Sequence, residues 1–146
     1  MGLTLAEKIL ARASGNTRVV PDQVVVANVD LAFSHENADL VHTAFQQIGV
    51  AKVWDPAKIV IIFDHRVPAE SERTATTHKV LREFVQQQGI RNFYDVGRGG
   101  ICHQVLCENG HIRPGMVVVG TDSHTTTEGA LGAFAAGIGE IGRAHV

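Results

Sequence analysis

Histidines, aspartates and a serine follow the ends of predicted strands in this sequence. Asp64 and His65 come directly after the apolar run 59–63, and the segment 121–124 (Thr-Asp-Ser-His) comes directly after the run 116–119. His103 lies just beyond the glycine turn 97–100, which follows a third predicted strand. An imidazole beside a carboxylate can move a proton near neutral pH, and hydroxyls near a helix start can bind a carboxylate. These residues predict acid–base chemistry on an acidic small molecule.

The elements that would position these residues alternate between strand and helix. This alternation predicts right-handed β-α-β crossovers, an α/β fold and a mostly parallel sheet. Ligands of such sheets bind beyond the carboxyl ends of the strands, so the three polar sets are expected on one edge. His35 and Glu36 are expected on the same edge, at the start of a helix. The predicted strands are 23–29, 59–63, 92–96 and 116–119, and the predicted helices lie within 4–15, 37–49, 71–88 and 101–108.

Composition excludes several classes of protein. The chain has 146 residues, of which 45% are hydrophobic and 19% charged, as expected of one soluble globular domain. A net charge of -2 gives no basic field for nucleic acid or an anionic membrane. No segment reaches the roughly 18 apolar residues of a membrane span, and the start lacks the pattern of a secretory signal. A cytoplasmic protein is expected.

The remaining motifs leave alternative readings open. Cys102 and Cys107 lack the spacing of a metal site and read as ordinary thiols. The glycine turn lacks dinucleotide-binding spacing, and Ser123 lacks the flanking glycines of a nucleophile elbow. A metal-dependent α/β hydrolase would use His65, His103 and His124 as ligands to zinc or a similar ion. A carboxylate-binding domain without catalysis is a further alternative.

Several motifs, in their order along the chain, carry a resemblance to a known family. They are the strand end 63–65 (Phe-Asp-His), the segment 100–105 (GICHQV), the pair 114–115 (Pro-Gly), the segment 120–125 (GTDSHT) and the glycine-rich continuation 129–139. Over roughly residues 3 to 139 the chain resembles the aconitase superfamily. The resemblance implies the first part of a three-layer α/β/α domain, spanning residues 1–139 and incomplete in this chain.

The resemblance also implies an activity and roles for particular residues. Members are hydro-lyases that remove water from a hydroxy-polycarboxylate and add it back at the adjacent carbon. By similarity, Asp64 and His65 would protonate the departing hydroxyl, and Asp122 would pair with His103.

Three further residues take roles from the same resemblance. Ser123 would contact the substrate, and His124 would take a carboxylate partner from later in a longer chain. Asp39 lies nearest to a substrate-binding position of the family, in a looser match.

The family resemblance implies a [4Fe-4S] cluster and a partner. The cluster cysteines would lie beyond the end of this chain, and neither cysteine present matches a ligand position, so no metal ligand is expected here. A small subunit carrying a swivelling domain would be the partner. The chain alone is expected to be an inactive fragment.

Within the family, the chain resembles the large subunits of 3-isopropylmalate dehydratase, an enzyme of leucine biosynthesis, and of homoaconitase. Aconitase and dimethylmalate dehydratase remain alternatives, because the loop around His35 departs from its commoner forms. Residues 140–146 (EIGRAHV) read as a non-native tail, since translation of a common sequencing adapter yields the same heptapeptide.

Overall fold

The structure, a computed structural model, describes residues 2–36 and 38–138 and, for Asp39, the backbone alone. Within these residues five parallel strands form one sheet in the order β3-β2-β1-β4-β5, which confirms the α/β fold. The strands are β1 (Leu31–Ser34), β2 (Ile59–Ile62), β3 (Asn92–Tyr94), β4 (Val117–Gly120) and β5 (Phe134–Gly137). The α-helices are α1 (Leu5–Ser14), α2 (Ala38–Ile48), α3 (Glu72–Gln88) and α4 (Cys102–Glu108), and 3-10 helices span Pro56–Lys58 and Ser123–Leu131.

Helices cover both faces of the sheet. Successive side chains of a strand point to opposite faces, and β2 shows the consequence. Ile61 packs in a buried cluster with Leu81 and Phe84 of α3. Ile62, its neighbour, packs on the other face in a cluster that contains Leu106 of α4. This arrangement buries β2, the most apolar strand, and gives the helix–sheet–helix layering expected of the family.

Local signals place the ends of the helices correctly. Thr4 and Glu7 form a reciprocal capping box at the start of α1, and Gly15 ends that helix in the left-handed conformation. The Ser71 hydroxyl accepts a hydrogen bond from the N–H of Thr74 at the start of α3, and Gly89 ends α3 in the same way as Gly15. The predicted bounds of α1 and α3 are therefore confirmed.

The predicted strand over 23–29 is wrong. That stretch has no regular secondary structure, and the side chains of Val24 and Val26 are 95% and 91% exposed. The first strand begins at Leu31 instead. Asp30 precedes it, and its carboxylate accepts hydrogen bonds from the N–H of Val117 and the guanidinium of Arg12. Valine has high β-propensity, but burial against the sheet decides which apolar run becomes a strand.

The last described part of the chain adds a strand to the edge of the sheet. The small-residue segment 129–138 contains the end of a 3-10 helix and the edge strand β5, which pairs with β4. Residues 140–146, interpreted above as a non-native tail, lie outside the described residues, so that interpretation stays a prediction. No helix in the described part of the chain is long and apolar enough to cross a membrane.

Candidate functional site

The loops after β1, β2 and β4 and the start of α4 meet around the carboxylate of Asp122. Its Oδ1 lies 2.9 Å from Nε2 of His103, and its Oδ2 lies 3.7 Å from Nε2 of His65 and 4.0 Å from Nε2 of His35. The prediction that the polar sets share one edge of the sheet is confirmed. Asp122 is buried, so these groups surround a carboxylate with little access to water.

Close backbone approaches allow the loops to meet. A Cβ on Gly99 would overlap the carbonyl oxygen of Phe63, and a Cβ on Gly120 would overlap the Phe33 ring and the Thr125 hydroxyl. Only glycine leaves room at such approaches. The glycine turn of 97–100 therefore packs against the end of β2.

The Asp64 carboxylate connects the end of β2 to α4. Its Oδ2 accepts a hydrogen bond of 2.8 Å from the N–H of Cys102 at the start of that helix. The same oxygen lies 3.5 Å from Nδ1 of His65, which confirms the predicted neighbourhood of the two side chains. Asp64 thus holds α4 in place while it faces the His65 ring.

His65 is a half-exposed imidazole lying on a buried one. Its ring stacks on that of His35 with centroids 4.2 Å apart, and the two side chains are 49% and 5% exposed. His35 Nδ1 lies 3.5 Å from a carboxylate oxygen of Glu36. Burial of Glu36 acts to raise its pKa, but hydrogen bonds from His35 and the Arg66 N–H outweigh burial and hold that pKa well below its usual range.

The His103 imidazole lies between two carboxylates. Nε2 faces Asp122, and Nδ1 lies 2.8 Å from Oε1 of Glu128, a side chain with no exposed surface. Burial acts to lower the pKa of His103, but the hydrogen bonds and charges of Glu128 and Asp122 outweigh burial and raise that pKa. Burial also acts to raise the pKa of Asp122, yet hydrogen bonds from the His124 N–H and from His103 lower it. The predicted Asp122–His103 pair is confirmed as a contact.

The remaining predicted residues lie on the exposed side of the site. His124 is 78% exposed, and its Nδ1 lies 3.2 Å from Oδ1 of Asp122 and 3.3 Å from the Ser123 hydroxyl. Both residues begin the 3-10 helix, whose N-cap is Asp122. The side chain of Asp39 lies outside the described residues, so its substrate-binding role stays a prediction.

Sequence reasoning missed three side chains as members of the site. His35 and Glu36 were expected at this edge only as the start of a helix, and Glu128 was not singled out. All three are buried and polar, a property that has to be explained by partners. The spacing of Asp122 and Glu128 was the available signal for Glu128: six residues are two turns of a 3-10 helix, so both side chains lie on one face.

The structure does not bring together the three histidines of the hydrolase alternative as metal ligands. Instead, one nitrogen of His65 lies with a nitrogen of His35 and a carboxylate oxygen of Asp122, all within 4.8 Å of one another. Both ring nitrogens of His103 face carboxylates, so neither is free for a metal. The ligand set predicted from His65, His103 and His124 is therefore wrong as a geometric group.

Comparison with known proteins shows the family to which the chain belongs. Residues 6–146 match the aconitase family (aconitate hydratase). The chain belongs to the aconitase family. The sequence is 58% identical, over its whole length, to a Methanothermobacter thermautotrophicus protein named probable 3-isopropylmalate dehydratase large subunit. It is 56% identical over its whole length to the 3-isopropylmalate dehydratase large subunit 1 of Methanopyrus kandleri.

A further aconitase-family relative carries a different name. It is the probable methanogen homoaconitase large subunit of Methanothermobacter thermautotrophicus, 48% identical over 99% of this chain. In each of the three relatives the matched part is 35% of that protein's length. The chain thus spans about a third of the length of these relatives.

The two cysteines present are fewer than the Cys ligands that a [4Fe-4S] cluster, the cofactor that aconitase-family relatives imply, takes from its protein. The sequence contains two cysteines. Burial and the neighbouring Asp64 carboxylate raise the pKa of Cys102 far above its ordinary value, and burial raises that of Cys107. The thiolate is the form that binds a metal. The described residues bring imidazoles and carboxylates together at one edge of the sheet, and the absence of a cluster ligand from this chain stays a prediction.

Proposed function

We propose that this chain is the substrate-facing α/β part of a hydro-lyase that dehydrates and rehydrates a hydroxy-polycarboxylate. The convergence of His35, His65 and His103 on Asp122 is the observation that supports this most directly. Such a site offers proton donors beside a negative charge, as acid–base removal of water requires. The relatives named 3-isopropylmalate dehydratase favour isopropylmalate as substrate and leucine biosynthesis as the pathway.

His65 is the proton donor to the departing hydroxyl in this proposal. It is the half-exposed member of the stacked pair, so a bound molecule can reach it, and Asp64 faces its Nδ1 from behind. The His35 ring beneath it restricts its orientation. Nε2 of His65 lies 3.7 Å from Oδ2 of Asp122, beyond hydrogen-bond distance, so this oriented ring can transfer a proton to a leaving oxygen.

In this proposal the start of the 3-10 helix Ser123–Leu131 binds a carboxylate of the substrate. Ser123 and His124 are exposed there, so the hydroxyl and the imidazole can donate hydrogen bonds to a carboxylate. Asp39, on α2, remains part of this proposal as a substrate contact. His103 and Asp122 hold the loop that carries these groups against α4.

The full-length protein would use a cluster and a second subunit. When bound, the [4Fe-4S] cluster would supply Lewis-acid chemistry for the loss of water. Because the relatives are named large subunits, we propose a small subunit as partner. In this proposal the cluster ligands and the small subunit both lie outside the 146 residues, so we expect this chain alone to be inactive. Its cytoplasmic location stays a prediction.

The test is turnover by the full-length subunit with its small subunit and a reconstituted cluster. We expect isopropylmalate to give a conjugated unsaturated acid, followed by its ultraviolet absorbance. Homocitrate and citrate are the comparison substrates, and faster turnover of homocitrate would reassign the substrate within the proposal. With an intact cluster spectrum, failure of all three to lose water would contradict the proposed function.

A further inference from the structure

Glu128 is a buried carboxylate that the proposed reaction does not use. It lies on the 3-10 helix Ser123–Leu131, in a row with Asp122 and Thr125, because side chains three residues apart eclipse in such a helix. All three are buried, and Glu128 and Thr125 have no exposed surface. A buried carboxylate is costly unless it has partners. Its partner in the described residues is the His103 ring.

The contacts around His103 leave its ring no freedom. Oε1 of Glu128 lies 2.8 Å from Nδ1, and Oδ1 of Asp122 lies 2.9 Å from Nε2. The edge of the Phe33 ring contacts the imidazole with centroids 5.6 Å apart, and the His124 ring lies 6.4 Å away. With a carboxylate at each nitrogen, the ring can neither flip nor turn out of the site without breaking a buried contact.

A hydrogen bond joins Nδ1 of His103 to Glu128, whether the proton is on the nitrogen or on the carboxyl group. Oδ1 of Asp122 accepts a hydrogen bond from the His124 N–H, and its hydrogen bonds lower the pKa of this carboxyl. We therefore treat Asp122 as ionised, with a proton on Nε2 of His103 that points to it. Nδ1 then either donates to an ionised Glu128 or accepts from a protonated one. Both arrangements give the same ring orientation.

We propose that Glu128 is a positioning residue, which locks His103 so that His103 holds Asp122 in place for His65. The contact chain runs from Glu128 through His103 to Asp122, whose second carboxylate oxygen lies 3.7 Å from Nε2 of His65. Glu128 itself faces α4 and touches neither His65 nor the exposed part of the site in any contact described here. Its effect on turnover therefore passes through two other side chains.

Two variants of the full-length subunit separate positioning from packing. Glu128→Leu keeps a similar volume and removes the hydrogen bond, and Glu128→Gln keeps both shape and hydrogen bond. Oε2 of Glu128 is buried without a hydrogen-bond partner in the described residues. If Glu128 only filled space, leucine would therefore serve at least as well as glutamine. Positioning predicts the reverse order.

The kinetic part of the test rests on the proposed function. We expect Glu128→Leu to lower kcat about 10–100-fold with little change in KM, as for residues that orient a site from behind. Glu128→Gln should lose less. Equal kcat values for the two folded variants would overturn the proposal. A wild-type enzyme without hydro-lyase activity would instead contradict the proposed function and leave the next measurement to decide.

A spectroscopic measurement tests the positioning role of Glu128 without relying on enzyme turnover. Nuclear magnetic resonance of the full-length subunit with 15N-labelled histidine, before cluster reconstitution, should show two slowly exchanging protons at His103, one on Nε2 and one in the hydrogen bond between Nδ1 and Glu128. His103→Asn assigns them by their loss. Glu128→Leu should abolish the signal at Nδ1 and keep that at Nε2. Persistence of both signals in Glu128→Leu would overturn the proposal. If Glu128→Leu does not fold, the wild-type protein decides: absence of any slowly exchanging proton at the contact between Nδ1 and Glu128, on the nitrogen or on the carboxyl oxygen, would overturn the proposal.

Discussion

The two histidines that flank Asp122 differ in how tightly they are held. His103 has a carboxylate within 3 Å of each ring nitrogen and a side chain that is 15% exposed. His65 is 49% exposed, and its nearest carboxylate oxygens lie 3.5 and 3.7 Å away. One carboxylate, Asp122, thus faces a fixed imidazole on one side and a looser one on the other.

This difference separates two tasks that one residue type can perform. A histidine bonded at both nitrogens cannot exchange a proton with a ligand without breaking a buried contact, so it serves as structure. A histidine with one open nitrogen can meet a bound molecule and transfer a proton to it. The stacked ring of His35 gives His65 orientation without occupying the nitrogen that would react.

The substitution with the largest expected effect removes the looser histidine. In the full-length enzyme with its small subunit, we expect His65→Gln to lower kcat about 10²–10⁴-fold, the usual loss when a general acid is removed. His42→Gln is the matched control, because His42 lies on α2 and contacts the Phe84 ring. Equal loss in both variants, measured by steady-state kinetics, would contradict the assignment of His65.

The next substitution acts on the carboxylate shared by the two histidines. Asp122→Asn keeps an acceptor for the His124 N–H but removes the charge that faces both rings. We expect kcat to fall about 10–100-fold. Glu83→Gln, an exposed carboxylate on α3, is the control. If Asp122→Asn retained wild-type kcat, a role of this charge in holding His65 and His103 would be refuted.

A glycine at the end of β4 tests the fixed side of the comparison. Gly120→Ala would drive a methyl group into the Phe33 ring and the Thr125 hydroxyl, whereas Gly129→Ala has open space at its Cβ. We expect Gly120→Ala to lower the free energy of unfolding by about 1–3 kcal/mol, as overpacking does. Urea denaturation of the full-length subunit measures it. A loss no larger than that of Gly129→Ala would show that this contact relaxes freely.

The smallest effect comes from an ion pair outside both histidine regions. Arg82 donates two hydrogen bonds of 2.7 Å to Asp95, and these lower the pKa of Asp95. Because the pair is partly exposed, we expect Asp95→Asn to cost about 0.5–1 kcal/mol of unfolding free energy.

The pH dependence of that cost has a definite sign. A carboxyl group whose pKa is lowered by folding contributes fully above its unfolded pKa, about 3.9, and loses its contribution as pH falls through the folded value. The difference between wild type and Asp95→Asn should therefore be constant between about pH 5 and pH 8 and shrink in stronger acid. A difference that grows on acidification would contradict this explanation.

Local chemistry made much of the fold predictable. The capping box of α1, the Ser71 cap of α3 and the apolar run of β2 each act within a few residues, so their structures follow from nearby sequence. The stretch 23–29 shows the limit. Its valines favour a strand, but they are exposed, and the strand forms at Leu31.

Part of the candidate site was also predictable from the sequence. The sequence predicted the shared edge, the Asp122–His103 pair and the neighbourhood of Asp64 and His65, because parallel strands end on the same side of a sheet. The Glu128 contact and the stacked His35 ring were not predictable in this way. They depend on where a 3-10 helix lies against α4 and on how two loops overlap.

By itself, the sequence determined the alternation of strands and helices, the polar residues at the strand ends and the family to which the chain belongs. These depend on side-chain type and spacing along the chain. Only the tertiary structure decided that His103 is fixed between Asp122 and Glu128 while His65 stays open to a ligand. The reason is that burial and hydrogen-bond geometry arise from contacts between residues far apart in sequence, such as the 57 positions that separate His65 from Asp122.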